Sequence, residues 1–149
     1  MMRLLFILIC FWVFIGFQSC AEGTSKITFH KSHEPNRANV PFSDAVETKD
    51  LLFLTGQIGK NHEKGELVSG GIGAETMQVI ENIKDVLEYH NLSLHNVVKC
   101  TVILKDINDF EAFNSVYTTY FTNKPARTTF AASGLAGGAS IEIDVIAAK

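Results

Sequence analysis

Two charged residues near the C-terminus have side chains suited to binding and hydrolysing a small acid. Arg127 follows a proline in the stretch NKPARTTFAASG, and Glu142 lies in SIEID. A guanidinium is a planar fork of donors that can hold a carboxylate by two parallel hydrogen bonds. A carboxylate near that anion can position and polarise a water molecule. Taken alone, an arginine such as Arg127 more often forms a surface salt bridge or extends its charged end into water, and Glu142 is more often a solvated residue of a strand.

The other candidate motifs give weaker indications of a functional site. Asn114 lies mid-helix among aromatic residues, either exposed or as the wall of a pocket. The stretch SGGIG at 69–73 lacks the lysine and the spacing of a phosphate-binding loop. Cys100 stands in an apolar strand without an activating partner, which favours a buried thiol over a nucleophile. The five histidines are scattered, so no metal site is expected.

Composition limits the class of protein. A chain of 149 residues, 46% of them hydrophobic, is long enough for one domain. Its net charge is −3 and it has no basic stripe, so we expect no nucleic-acid partner.

The N-terminus has the pattern of an export signal. Arg3 precedes an apolar run at 4–17 that is shorter than a membrane span. Ser19-Cys20 resembles a bacterial lipoprotein cleavage site, which would make Cys20 the lipidated residue. An ordinary signal-peptidase site and an uncleaved anchor are the alternatives. The expected organisation is a signal peptide at 1–19, a tether at 20–26 and a domain at 27–149. This predicts an exported bacterial protein, periplasmic or membrane-anchored as a lipoprotein.

The apolar periodicity predicts an α+β fold. Strand and helix patterns alternate as β-β-β-α-β-α-β-β, which places both helices on one face of a sheet. The first helix is expected over 72–92 and the second over 110–121, with Asp109 as its cap. The apolar stripe of the first helix comprises Ile72, Met77, Ile80, Ile83, Val86 and Leu87. Period-two alternation predicts that the face away from the helices carries Arg127, Thr129, Glu142 and Asp144.

Five stretches in the same order resemble the RidA family of reactive-intermediate deaminases, also called YjgF-like. They are FLTGQIG (53–59), ENIKDVLE (81–88), VVKCTVILKDINDFEAFNSVYTTYF (97–121), PARTTF (125–130) and IEIDVIA (141–147). The resemblance implies a chorismate-mutase-like fold with a mixed six-stranded sheet, the last strand lying between the third and fourth. It also implies a homotrimer with clefts between subunits.

The same resemblance implies an activity and a set of site residues. The activity is cofactor-independent hydrolysis of 2-enamine and 2-imine acids, such as 2-aminoacrylate and 2-iminobutanoate, to 2-keto acids and ammonia. Arg127 matches the residue that binds the substrate carboxylate, and Glu142 the acid associated with the attacking water. The positions that match the substrate pocket are Phe42, where the family often has tyrosine, Thr55, Gly56, Asn114 and Thr129, where it often has cysteine or alanine.

Two other functions remain open from the sequence. A non-catalytic trimer that binds a small carboxylate would use Arg127 but would have no use for Glu142. RNA cleavage, which is associated with some family members, is disfavoured by the acidic composition.

Overall fold

The computed structural model describes residues 26–149, so the expected signal peptide, nearly all of the tether and Cys20 lie outside the described part. The chain forms nine strands and two α-helices in this region. In chain order they are β1 (Thr28–His30), β2 (Ala45–Glu47), β3 (Leu51–Leu54), β4 (Gln57–Ile58), β5 (Lys60–Asn61), β6 (Glu66–Leu67), α1 (Gly71–Tyr89), β7 (Val97–Leu104), α2 (Phe110–Tyr120), β8 (Ala126–Ala131) and β9 (Ile141–Ala148).

The main sheet has the order β1-β2-β3-β9-β7-β8. Strand β9 is antiparallel to β3 and to β7, and β8 is parallel to β7. The expected α+β fold, with its last strand inserted into a mixed sheet, is confirmed. The short strand β4 also pairs with β9, so the sheet has seven strands instead of six. Strands β5 and β6 form a separate antiparallel hairpin.

The core lies between the sheet and the two helices. Helix α1 buries Thr76, Val79, Ile80, Ile83, Val86 and Leu87. The prediction that Met77 belongs to the buried stripe is wrong, because this residue is 45% exposed. With 3.6 residues per turn, the buried stripe passes through Thr76 and Val79 instead, and the short threonine hydroxyl is satisfied by the carbonyl of Ile72 at 2.7 Å.

Helix α2 begins differently from the sequence expectation. Asp109 occupies the position before the first helical residue, but its side chain makes no capping hydrogen bond. The capping carboxylate is Asp106, which accepts from the backbone N–H of Asn108 at 2.9 Å. It starts a short 3-10 turn, Ile107–Asp109, that leads directly into α2. The prediction that the Asp109 side chain caps the helix is therefore wrong, because the capping residue lies about one turn earlier.

A buried carboxylate fixes α1 to the start of β9. Glu75 is 6% exposed and accepts hydrogen bonds from the backbone N–H of Ser140 at 2.8 Å and from its hydroxyl at 2.6 Å. A side chain at Gly59 would collide with Glu75, so the glycine allows the helix to lie close to the chain there. This contact holds the first residues of the strand that carries Glu142.

Replacing Glu75→Ala is therefore expected to lower the free energy of unfolding by about 2–3 kcal/mol, because it removes two hydrogen bonds to a charged group and leaves a sheltered N–H unpaired. Urea unfolding at fixed protein concentration measures the effect. Glu88→Ala is the matched control, since Glu88 lies on the same helix and is exposed. Equal losses for the two variants would contradict the structural role of Glu75.

Candidate functional site

Strand β8 directs Arg127 towards the helices, so the expected placement on the open face is wrong. Directly paired residues of neighbouring strands share a face, and Arg127 pairs with Cys100, which is fully buried in the core. Thr129 pairs with buried Val102 and shares that face. Phe130 points to the open face instead and is 45% exposed. An edge strand is incompletely covered on both faces, so its apolar residues do not identify the core side.

The guanidinium of Arg127 lies against three aromatic rings of α2. Its central carbon is 4.6 Å from the ring centroid of Tyr117, 5.1 Å from that of Phe113 and 5.6 Å from that of Phe110. A cation over aromatic faces is attracted to them, and the rings restrict its rotation. Arg127 is thus a pre-oriented fork of donors.

Cys100 is buried beneath this arginine, as the sequence predicts, and is inert. The hydroxyl of Tyr117 donates to its sulfur at 3.3 Å. Burial raises the pKa of the Cys100 thiol to about 11, so it is not a thiolate nucleophile at neutral pH.

Arg127 opens onto a cavity of about 570 Å³ at the C-terminal end of α2. Asn114 lines the same cavity, so the fold brings these two expected site residues together. Thr129 lies two residues further along β8, and its hydroxyl oxygen is buried without a hydrogen-bond partner among residues 26–149. This region, which we call the arginine half-site, contains Arg127, Asn114 and Thr129.

Glu142 lies in a second cavity, of about 630 Å³. Phe42, Thr55 and Gly56 line this cavity with it. We call these four residues the glutamate half-site. Gly56 is required by its close approach to Glu142, because a side chain at position 56 would overlap the carboxylate.

The environment of Glu142 favours its protonated form. Burial raises the pKa of this carboxyl, and the nearby charge of Asp144 raises it further. A carboxylate with a raised pKa is a stronger base than an exposed one, which is the property that general-base catalysis uses.

A single chain does not bring the two half-sites together. Glu142 pairs with Ile103 on the open face, whereas Arg127 pairs with Cys100 on the helix face. Two strand spacings across the sheet and three residues along it separate their Cα atoms by about 14 Å. The two cavities share no lining residue. A site that uses both residues therefore needs a second copy of the chain.

The sequence reasoning missed Arg37 in the glutamate half-site cavity. Arg37 lines that cavity and forms an ion pair with Asp44, with 2.8 Å between guanidinium nitrogen and carboxylate oxygen. It also donates to the side chain of Gln57 at 3.4 Å. The segment around it is proline-broken and has no periodicity, so no pattern indicated that its arginine is held in place. Within residues 26–149, no group of three or more His, Cys, Asp or Glu side chains could hold a metal ion.

Comparison with known proteins places the chain in a family. Residues 32–149 match the family model described as Endoribonuclease L-PSP. A RutC family protein of the archaeon Pyrococcus horikoshii is 46% identical over 110 residues, covering 73% of this chain and 87% of the relative. The human 2-iminobutanoate/2-iminopropanoate deaminase is 41% identical over 108 residues, covering 72% and 79%. The crystal structure of the YjgF gene product of E. coli superposes with a TM-score of 0.75 at 29% identity, covering 82% and 98%.

The predicted export of this protein is wrong. The relatives come from archaea, yeast and mammals, and their names are RutC family protein, Protein HMF1 and 2-iminobutanoate/2-iminopropanoate deaminase. None of these names describes a periplasmic, exported or lipid-anchored protein, which is what the lipidation of Cys20 would have required. In the part of the chain that the structure describes, no helix is both long and apolar enough to cross a membrane.

The family model covers most of the chain, these two relatives exceed 40% identity, and the fold matches a solved member over nearly its whole length. The chain belongs to the YjgF/RidA family.

Proposed function

We propose that this protein hydrolyses 2-imine acids, and the 2-enamine acids that tautomerise to them, to 2-keto acids and ammonia. The observation that carries the proposal is that the fold presents, in two separate half-sites, a guanidinium held by three aromatic rings and a carboxylate whose pKa is raised. The relatives named 2-iminobutanoate/2-iminopropanoate deaminase, at 37–41% identity, support it.

Arg127 binds the substrate carboxylate in this proposal. Two parallel N–H···O bonds fix the plane of the acid, and therefore the position of the adjacent C=N carbon. Because the rings of α2 already restrict the guanidinium, little of its freedom is lost on binding. Asn114 supplies a further polar group in the same cavity, and Thr129 follows Arg127 on the same face of β8.

Glu142 activates water in the second part of the reaction. It takes a proton from a water molecule as the oxygen forms a bond to the C=N carbon, and passes that proton to the nitrogen. The resulting carbinolamine then loses its hydroxyl proton to Glu142, which returns it to the amino group as the C–N bond breaks. Ammonia leaves and a keto acid remains. No electrons are transferred in this sequence, so the proposal requires no cofactor.

The two half-sites meet between copies of the chain in this proposal, most simply in a homotrimer. The open sheet face supports such an assembly, because a row of residues across four adjacent strands includes Phe29, Val46, Phe53 and Ile146. Phe29 and Phe53 are exposed in the single chain. An exposed apolar row of this kind is typical of a subunit interface.

Complementation between two inactive variants tests this arrangement. Arg127→Met and Glu142→Gln chains, co-expressed in equal amounts, are expected to recover about one quarter of the unmutated activity, since each intersubunit site draws its arginine and its glutamate from different copies of a closed ring. Imine hydrolysis measured as keto-acid release gives the activity. Light scattering should give about three times the 16.4 kDa chain mass.

Two results would contradict the arrangement. A monomer at micromolar concentration would remove the intersubunit site. If the unmutated protein is an active trimer but the co-expressed variants remain as inactive as each variant alone, both residues act within the same copy.

The second candidate function is the binding of a small carboxylate without turnover. It would use the same arginine half-site. It predicts that the unmutated protein binds a keto acid by calorimetry but releases none from any imine. RNA cleavage, which the family model's description names, is not favoured for a chain with a net charge of −3.

A further inference from the structure

The cavity of the glutamate half-site contains a cation that the proposed hydrolysis does not use. The side chain of Arg37 is 14% exposed, and its ion-pair partner Asp44 is only 3% exposed. Gln57, which accepts from a second guanidinium nitrogen, is buried as well. Arg37 is thus fixed from behind by two buried side chains while it lines the same cavity as Glu142.

The guanidinium has donors to spare in this position. It carries five N–H groups, of which one donates to Gln57, while a second guanidinium nitrogen faces Asp44 in the ion pair. A carboxylate needs two parallel donors for a bidentate contact. Arg37 can therefore bind an anion in the cavity without releasing either of its buried partners.

Two further cations, Lys60 and Lys64, line the cavity with Arg37. They balance the acidic lining residues Glu63 and Glu142, and Asp44 balances Arg37. Recognition of an anion in this cavity therefore depends on the geometry of the Arg37 guanidinium and not on an excess of positive charge.

We propose that Arg37 recognises a second carboxylate, on the side chain of the substrate, and that the protein therefore prefers dicarboxylic 2-imino acids. This inference rests on the proposed hydrolysis. Arg127 of one copy holds the α-carboxylate, Glu142 of the neighbouring copy faces the C=N carbon, and the substrate side chain extends into the cavity that Arg37 lines. The apolar ring of Phe42, 50% exposed at the cavity wall, contacts the methylene groups between the two acids.

A matched pair of substrates tests the preference. 2-Iminoglutarate and 2-iminopentanoate have the same number of carbons, and an amino-acid oxidase generates each in situ from glutamate or norvaline. We expect unmutated protein to have a kcat/KM at least about tenfold higher for the dicarboxylic imine, the discrimination of a charge-assisted hydrogen bond. In Arg37→Lys this ratio should fall about 10- to 100-fold, since an ammonium cannot reproduce the bidentate contact.

The variants must not leave Asp44 as an unpaired buried charge. Arg37→Lys keeps a cation opposite it, and a double variant, Arg37→Met with Asp44→Asn, removes both charges together. Lys84→Met is the control, because Lys84 is an exposed cation of α1 outside the cavity. It should leave the ratio of the two kcat/KM values unchanged. A purely structural Arg37 would lower both values equally.

Binding of the products separates this inference from the proposed function. We expect 2-oxoglutarate to bind more tightly than 2-oxopentanoate by calorimetry, and the difference to disappear in both Arg37 variants. If 2-oxoglutarate shows this dependence but no imine is hydrolysed, the catalytic proposal fails and the recognition of a dicarboxylate stands. If imines are hydrolysed with the same substrate ratio in unmutated protein and Arg37→Lys, or with a preference for 2-iminopentanoate, the inference is overturned.

Discussion

Glu142→Gln is expected to reduce the hydrolysis of 2-iminobutanoate by about 10²- to 10⁴-fold at neutral pH, the usual contribution of a general base. Glutamine has nearly the same shape as glutamate, so it still fits over Gly56, but its amide cannot take a proton from water. Binding of 2-oxobutanoate should persist, because the arginine half-site is unchanged. Keto-acid release and calorimetry on the same preparation measure the two effects.

The pH dependence follows from the raised pKa of Glu142. The base must be ionised, so activity should fall as the pH decreases through a pKa above the usual carboxyl range. The pKa of Glu142 is higher in the folded protein than in the unfolded chain. Its protonated form therefore stabilises the fold at a pH below the unfolded-state pKa, and this contribution is lost as the pH rises through the folded-state pKa. At neutral pH the ionised Glu142 therefore destabilises the fold, and Glu142→Gln should be at least as stable as the unmutated protein.

Asp144→Asn is the matched control for this prediction. It keeps Glu142 and removes the neighbouring charge that helps to raise its pKa. Turnover should be retained, with the acid limb of the pH profile moved to lower pH. If Glu142→Gln hydrolyses the imine at the unmutated rate, the water-activating role assigned to Glu142 is wrong.

Arg127→Met should lower kcat/KM for 2-iminobutanoate by about 10²- to 10⁴-fold, because two charge-assisted hydrogen bonds to the carboxylate are lost together. Arg127→Lys retains a charge but only a single-point contact, so a reduction of about 10- to 100-fold is expected. Unlike Glu142→Gln, both variants should lose affinity for 2-oxobutanoate in calorimetry.

Methionine is preferred to alanine at position 127 because the arginine packs on aromatic rings. Arg127→Ala would remove the contact with Tyr117 and Phe113 as well as the charge. The unbranched methionine side chain keeps an apolar and sulfur–aromatic contact there. Thermal unfolding that is unchanged in Arg127→Met confirms that the loss is one of binding. Unchanged kcat/KM in that variant would exclude Arg127 from the site.

The sequence predicted the elements better than the faces they present. A continuous apolar run identified β7 and period-two alternation described β9, and the expected insertion of β9 is confirmed. Alternation in β8 correctly separated Arg127 from Phe130 but assigned each to the wrong face. The pattern assumes that apolar residues point inward, whereas on this edge strand the phenylalanine lies on the open face and the cation lies against the helix.

Residues far apart in sequence limited what could be predicted of the site. The resemblance to a family predicted site roles for Arg127 and Glu142 but not the distance between them in a single chain. That distance depends on the strand order and on the face of each strand to which the residue points. Arg37 depends on contacts with Asp44 and Gln57, seven and twenty positions away across an irregular segment. No local periodicity encodes such contacts, because they arise only when the loop packs on the sheet.

The central position of β9 also has a consequence for the order in which the protein folds during its synthesis. Strands β3 and β7 do not pair with each other, because β9 lies between them. Leu51 of β3, for example, pairs with Ala148, the last residue of β9. The residues made earlier can form α1 and the pair of β7 and β8, but two sheet edges stay unpaired until residues 141–148 have been translated. Such long-range pairing slows folding and exposes strand edges to other chains. A nascent chain stalled before β9 is therefore expected to depend on chaperones that cover those edges.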